Sequence, residues 1–318
     1  MIARCNHANC KKCGKTKSGT QRFRCCDCQK TFTESTNRLA GMRIGTEKAV
    51  QIISMLCEGM SVRATARLTD TKVNTILDLL VLIGNRCKRF LEIELLNVMV
   101  DDVQIDEVWQ YIFCKQKTAE RKGWCAEPVG DSYTYTAIER NTKLAVAWHF
   151  GHRTAEDTEI FCAKLRVATR GRFQISSDGF GPYRHSVPAI LGDRVDFGTL
   201  VKVFGTTTPD EQRQYSPAKI IAIKREAVWG QPNQDKICTS HTERANGSMR
   251  TFIKRMGRLT YCFSKKWENH EAALGLYFCH YNFCRKHRSL NGQTPAMANG
   301  LADHVWTVAE MIENTSNT

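Results

Sequence analysis

Six of the fifteen cysteines fall within the first 28 residues, at Cys5, Cys10, Cys13, Cys25, Cys26 and Cys28. A segment this short cannot bury a core of its own, so something other than apolar packing must hold it. A disulfide framework would be dense along the whole chain and would suit a small secreted domain. A local cluster in a reduced compartment reads instead as a metal site. Cys10-x-x-Cys13 and Cys25-Cys26-x-Cys28 are separated by eleven residues. Paired cysteines on two turns can aim four sulfurs at one tetrahedral Zn2+, and a short hairpin between them, here Lys15 to Arg24, makes a zinc ribbon. The expected ligands are Cys10, Cys13, Cys25 and Cys28. Cys5 and His7 also lie within reach, so Cys5 with Cys10 is an alternative first pair, and Cys26 an alternative to Cys25. Residues 1–34 form this module, followed by a linker over 35–45. The scattered cysteines, such as Cys57, Cys162 and Cys279, read as small buried hydrophobes.

The module is basic: between Arg4 and Lys30 there are eight Lys and Arg and one acid, Asp27. The whole chain carries a formal charge of +14. Such an excess points to a polyanion, because each phosphate neutralised by Lys or Arg releases condensed counterions. An anionic membrane is the other candidate, but no run approaches the ~18 apolar residues of a span. The polar, Cys-rich start is unlike a secretory signal. A cytoplasmic bacterial protein acting on chromosomal DNA, and so associated with the nucleoid, is the expectation.

Residues 46–97 have helical periodicity. Ile52, Ile53, Leu56 and Cys57 share one face, Gly59 stops the first helix and Ser61 can cap the second. Thr71 is expected to cap a third, with Val73, Ile76, Leu77, Leu80 and Ile83 on its apolar side. The second and third fit a helix-turn-helix, in which Ala64 permits close approach. Lys72, Asn74 and Thr75 then stand near the start of the reading helix, and Arg63 and Arg67 face phosphates.

From about residue 103 the pattern is mixed. Strands are expected over 104–115, 133–139, 144–150, 173–177 and 194–204, and helices over 154–169, 241–257 and 267–285. Residues 205–236 read as an insertion or long loop. The fold class is α/β, a mixed sheet with helices over about 103–300, preceded by the zinc ribbon and the helix-turn-helix.

Asp106 lies in the first of these strands, Asp178 ends the fourth, and Glu243 opens a later helix. In a ribonuclease-H-like sheet the first and fourth strands are neighbours and a following helix crosses them. Three carboxylates so placed can hold two Mg2+ (or Mn2+) ions for in-line displacement at phosphorus. Glu107 should point to the opposite face from Asp106. Asp101 and Asp102 are reserve candidates. Between Arg244 and Lys266 there are seven Lys and Arg and no acid. Asn246 and Arg250 share a helical face with Glu243, and Lys254 and Arg255 follow. With the aromatic and basic stretch Tyr281 to Arg288, these residues can hold DNA by its phosphates.

The segments QRFRCCDCQKTF, IDEVWQYIFCKQK, SDGFGPY, SHTERANGSMRTFIKRMGRL and YNFCRKHRSLNGQTPAMANGL resemble transposases of the insertion sequence 1 family over nearly the whole chain. The resemblance implies a zinc-binding segment, a helix-turn-helix and a ribonuclease-H-like catalytic domain. It implies metal-dependent cutting of the element's 3′ ends and their joining to target DNA. Asp106, Asp178 and Glu243 match the catalytic acids, and Asn246 a neighbouring polar position. The expected partners are double-stranded DNA, as element ends and target, and further copies of the chain. A DNA-binding regulator with a decayed catalytic fold and a nuclease without strand transfer are the competing functions. All three acids are present, which disfavours decay.

Overall fold

A computed structural model describes residues 9–15, 21–33, 39, 42–124, 129–205, 220–257 and 260–317 of the chain. Residues Met1–Thr46 and Glu47–Thr318 pack as two separate units. In the first, β1 (Cys10–Lys15), β2 (Gln21–Cys25) and β3 (Thr31–Thr33) form an antiparallel sheet. Its apolar content is small. Phe23 stacks on Phe32, ring centroids 5.9 Å apart, and Cys25 is buried.

The second unit begins with three helices, α1 (Thr46–Cys57), α2 (Val62–Thr69) and α3 (Val73–Glu94). Gly59, at φ 78°, turns the chain after α1, a backbone conformation that suits glycine. The Ser61 side chain then caps α2 by accepting from the Ala64 amide at 3.1 Å. Asp70, at φ 45°, ends α2 in the left-handed region. The expected cap on α3 is corrected. Lys72 holds the capping position and makes no side-chain bond, while the Thr71 hydroxyl donates back to the Thr69 carbonyl.

The body of this unit is a six-stranded mixed sheet of β4 (Asp102–Ile112), β5 (Gly130–Glu139), β6 (Ala145–Gly151), β7 (Phe173–Ser177), β8 (Val195–Phe204) and β9 (Ile220–Trp229). Their order across the sheet is β9-β8-β7-β4-β5-β6. The three central strands β8, β7 and β4 run parallel, and the outer pairings are antiparallel. Part of the stretch expected as a loop is therefore strand. β9 runs antiparallel to β8 at the sheet's edge, and residues 206–219 lie outside the described residues. Helices α4 (Gln116–Lys122), α5 (Ala155–Ala168), α6 (Tyr183–Leu191), α7 (Ser240–Phe252) and α8 (Trp267–Phe283) complete the main elements.

The alternation of side chains along β4 assigns the helices to the two faces. Even-numbered Gln104 and Asp106 meet α7, whereas Glu107 meets Tyr183 of α6 and Arg153 just before α5. On the α5–α6 face, Tyr135 packs between Phe161 and Tyr183. On the other face Trp148 stacks on Phe278 of α8. Helix α3 crosses α8 at a pair of glycines. A Cβ on Gly84 would stand 2.0 Å from the Ala272 carbonyl oxygen, and one on Gly275 2.5 Å from that of Gly84. Only residues without a side chain allow the two backbones this close.

Candidate active site

The site forms where β7 ends beside β4. The two strands pair in parallel with Asp102 opposite Gln174 and Gln104 opposite Ser176. Carried two residues further, that register sets residue 178 (176+2) abreast of residue 106 (104+2). Neighbouring strands lie ~4.8 Å apart, so the backbones of Asp106 and Asp178 are adjacent across the sheet. β7 stops at Ser177, and the chain leaves through Gly179. The Asp178 carboxylate accepts from the Phe180 amide at 2.9 Å, which holds it at the mouth of this crevice. Crevices outside the carboxyl ends of parallel strands are where open α/β sheets expose side chains to ligands.

Helix α7 brings in the third acid. The Gln104 side-chain oxygen accepts from the His241 amide at 2.8 Å and from the Thr242 amide at 3.4 Å. One turn on, Asn246 Nδ2 donates to Asp106 Oδ2 at 2.7 Å. The spacings match. Five helical residues rise ~7.5 Å and two strand residues ~6.8 Å, so α7 lies along β4 with both bonds made. Thr242, Ala245, Asn246 and Met249 form its buried face. Glu243 stands on the flank between the two anchors, its side chain 47% exposed. It accepts from the Thr239 hydroxyl at 2.8 Å and pairs with Lys202 of β8. Since β7 lies between β4 and β8, Glu243 reaches across the end of β7, where Asp178 sits.

The electrostatics follow from this crowding. Burial first, and then the charges of Glu107, Asp178 and Glu243, together push the Asp106 carboxyl up to about 7 against the opposing Glu107 amide. Glu107 is also raised, by burial and then by Asp178. It lies on the other face, where Arg153 binds it at 2.6 Å and Tyr183 donates to it at 3.1 Å. Arg153 in turn stacks over Phe180, 4.3 Å from the ring centroid. This Glu107–Arg153–Tyr183 network underpins the Asp178 turn and escaped the sequence reading. Asp102 is buried and paired with Arg140 at 3.0 Å, which removes it from the crevice chemistry.

Asp106, Asp178, Glu243 and Asn246 offer oxygen donors, the kind Mg2+ and Mn2+ prefer. The buried Asn246 Oδ1 has no hydrogen-bond partner, and Asp106 has no cationic one among the described residues. The donor set therefore fits a hard divalent ion in kind. As arranged, no three His, Cys, Asp or Glu among the described residues are gathered closely enough to hold one. Lys202 and Thr239 hold Glu243 aside.

Lys72, Asn74, Arg63 and Arg67 are exposed, and Thr75 is half-buried. Arg250 and Lys254 continue the α7 line, and Arg255 is enclosed by Ser264 and Asn269. In the first unit, Cys10 lies opposite Cys25 across the strands, with Cys26 and Cys28 in the turn that follows. Cys13 is three residues up β1, ~10 Å along the strand and away from that end. Cys5 and His7 lie outside the described residues.

Fold and site together define a mixed α/β protein with an acidic crevice at the carboxyl end of its parallel strands. Residues 190–284, which carry Glu243 and Asn246, match the family model described as IS1 transposase. The chain is 26% identical over 174 residues to the insertion element iso-IS1n protein InsB of Shigella dysenteriae, covering 55% of this chain and 91% of that protein. Both matches are to IS1-family proteins, the family model over 95 of the 318 residues. The chain also matches a solved piggyBac transposase synaptic complex with hairpin DNA, with TM-score 0.36 and 9% identity, over 89% of this chain and 74% of that one. That superposition is too loose to equate residues. No helix among the described residues is long and apolar enough to cross a membrane.

Proposed function

We propose that this chain is a transposase that cuts DNA at the ends of its element and joins them to target DNA at Asp106, Asp178 and Glu243, on a ribonuclease-H-like sheet. The observation that carries the reading is the state of Asp106: a buried carboxyl, pushed up to about 7, crowded by three further carboxylates and bonded to Asn246. A group so destabilised in its charged form is held for a cation. A divalent ion there supplies an activated water or 3′ hydroxyl and stabilises the leaving oxygen at phosphorus. Asp106 and Asp178 are the fixed ligands on the sheet. Glu243 would complete the set once its side chain leaves Lys202, whose freed ammonium would then face the DNA phosphates. Asn246 orients Asp106 and offers its unpaired oxygen.

Residues 1–34 act as a zinc-binding DNA module. Its small apolar content supports a metal as the source of its folding energy. Cys10, Cys25 and Cys28 share one end of the sheet, which favours Cys5 over Cys13 as the fourth ligand. α2 and α3 bind element ends, with Lys72, Asn74 and Thr75 at base edges and Arg63 and Arg67 on phosphates. The active species on DNA is a homo-oligomer, since two ends must be joined to one target.

The test is cleavage and joining of a DNA bearing the element's ends in Mg2+ or Mn2+. Asp106→Asn, Asp178→Asn and Glu243→Gln should each lose at least ~100-fold in both steps and still bind DNA. Full cleavage by Asp178→Asn refutes the assignment. Cleavage without joining supports the nuclease, and end binding with no cleavage by the wild-type chain supports the regulator.

A further inference from the structure

A second cavity opens at the far end of α7, between that helix, the α1–α3 helices, α8 and residues 253–255 and 261–265. Its volume is about 550 Å3. The walls are apolar, with Met60, Leu77, Leu80, Phe252 and Phe263 among them. The rim is cationic. Arg63, Lys254, Arg255 and Lys265 line it, and no carboxylate does among the described residues. Tyr261 stands at the mouth, 98% exposed.

Two lining groups are unfinished. The Tyr277 hydroxyl is buried and has no hydrogen-bond partner, though its residue is only 6% exposed. The Arg255 guanidinium donates through one nitrogen to the Asn269 carbonyl at 2.7 Å and the Ser264 hydroxyl at 3.4 Å, both neutral. Burial brings that guanidinium down to about 10 with no carboxylate opposing the change. An enclosed cation without an anion and an orphaned hydroxyl are both costly, and an anionic, hydrogen-bonding ligand removes both costs at once.

We propose that this cleft receives one nucleotide of the bound DNA strand, turned out of the duplex. Its phosphate sits on Arg255 and the rim lysines. Its base lies between the apolar walls within reach of the Tyr277 hydroxyl, and Tyr261 caps the opening by stacking. Charge and shape favour this occupant, because a nucleotide combines an anion with a flat, largely apolar ring system. The inference rests on the proposed DNA function and adds to it a site distinct from the acidic crevice. Nine helical residues separate Glu243 from Phe252, ~13 Å along α7. At ~3.4 Å per strand step, the nucleotide taken up is about the fourth from the reacting phosphate.

The experiment measures binding of the full chain, with no Mg2+ or Mn2+ added and no chelator present, to end duplexes carrying one mismatch walked through the first six positions. A mismatched base costs less to turn out. Binding should therefore tighten about tenfold for mismatches near the fourth position and not elsewhere. Tyr277→Phe, a near-isosteric change, should reduce that gain several-fold. Leu77→Trp, which fills the cleft, should erase it. Matched and mismatched ends bound alike at every position overturn the cleft and leave the acidic site standing, and an acidic peptide as true occupant gives the same result. A gain untouched by both variants also overturns the cleft. Failure of the wild-type chain to bind any DNA overturns the proposed function and this inference together.

Discussion

Asp106 ties stability to pH. Its folded carboxyl titrates at about 7, against an ordinary 3.8. A raised carboxyl stabilises the fold while protonated, so its contribution is full below about 3.8 and is lost as pH rises through about 7. Metal-free protein should accordingly melt at progressively lower temperature between pH 4 and 8, and Asp106→Asn should flatten that slope and gain up to a few kcal/mol at pH 8. Mg2+ added near pH 7 should release protons, readable with an indicator dye in weak buffer. An identical pH slope in Asp106→Asn would count against the assignment. Gln104 offers a second test. Gln104→Leu removes the bond to the start of α7 but keeps the strand, so cleavage should fall roughly tenfold with the melting temperature shifted only a few degrees. An unchanged rate would show that α7 does not need this anchor.

At the scale of elements, the α3–α8 crossing is the most exacting contact. A methyl on Gly84 would meet backbone at 2.0 Å, and backbone cannot move aside as a side chain can. Gly84→Ala and Gly275→Ala should each cost about 2–4 kcal/mol in chemical denaturation. A cost below ~0.5 kcal/mol would mean that the helices cross further apart. This crossing was invisible in the sequence, where Gly84 reads as a weak point in a helix. The five long strands through residue 204 and helices α5, α7 and α8 were legible as strand-forming or helix-forming runs bounded by turn and capping residues, such as Thr154 before α5. β9 was not: nine of its ten residues are exposed, so no alternation marks it as strand. Within the site, the order of Asp106, Asp178 and Glu243 could be read from strand ends and a helix start. The Glu107–Arg153 pair could not, since 46 positions separate its members and no local pattern links them.

On the scale of the whole molecule, the two units should behave as separate folding bodies. A chain starting at Glu47 keeps the six-stranded sheet and every described helix, less only the first residue of α1, so it should melt in one transition close to that of the full protein. A chelator should alter only the full-length profile if residues 1–34 depend on zinc. The 22 residues of α3 run unbroken from Val73 to Glu94. That is a rod of ~33 Å whose first turn carries Asn74 and Thr75, proposed above to meet DNA bases, and whose later turns are locked onto α8. Such a rod acts as a ruler. Under the proposed function, the protein and not the DNA then sets the distance from the sequence that is read to the phosphate that is cut. Five extra base pairs between the two would rotate the cut site about half a turn out of reach, whereas a full helical turn of ~10.5 base pairs would restore its phase but not its distance.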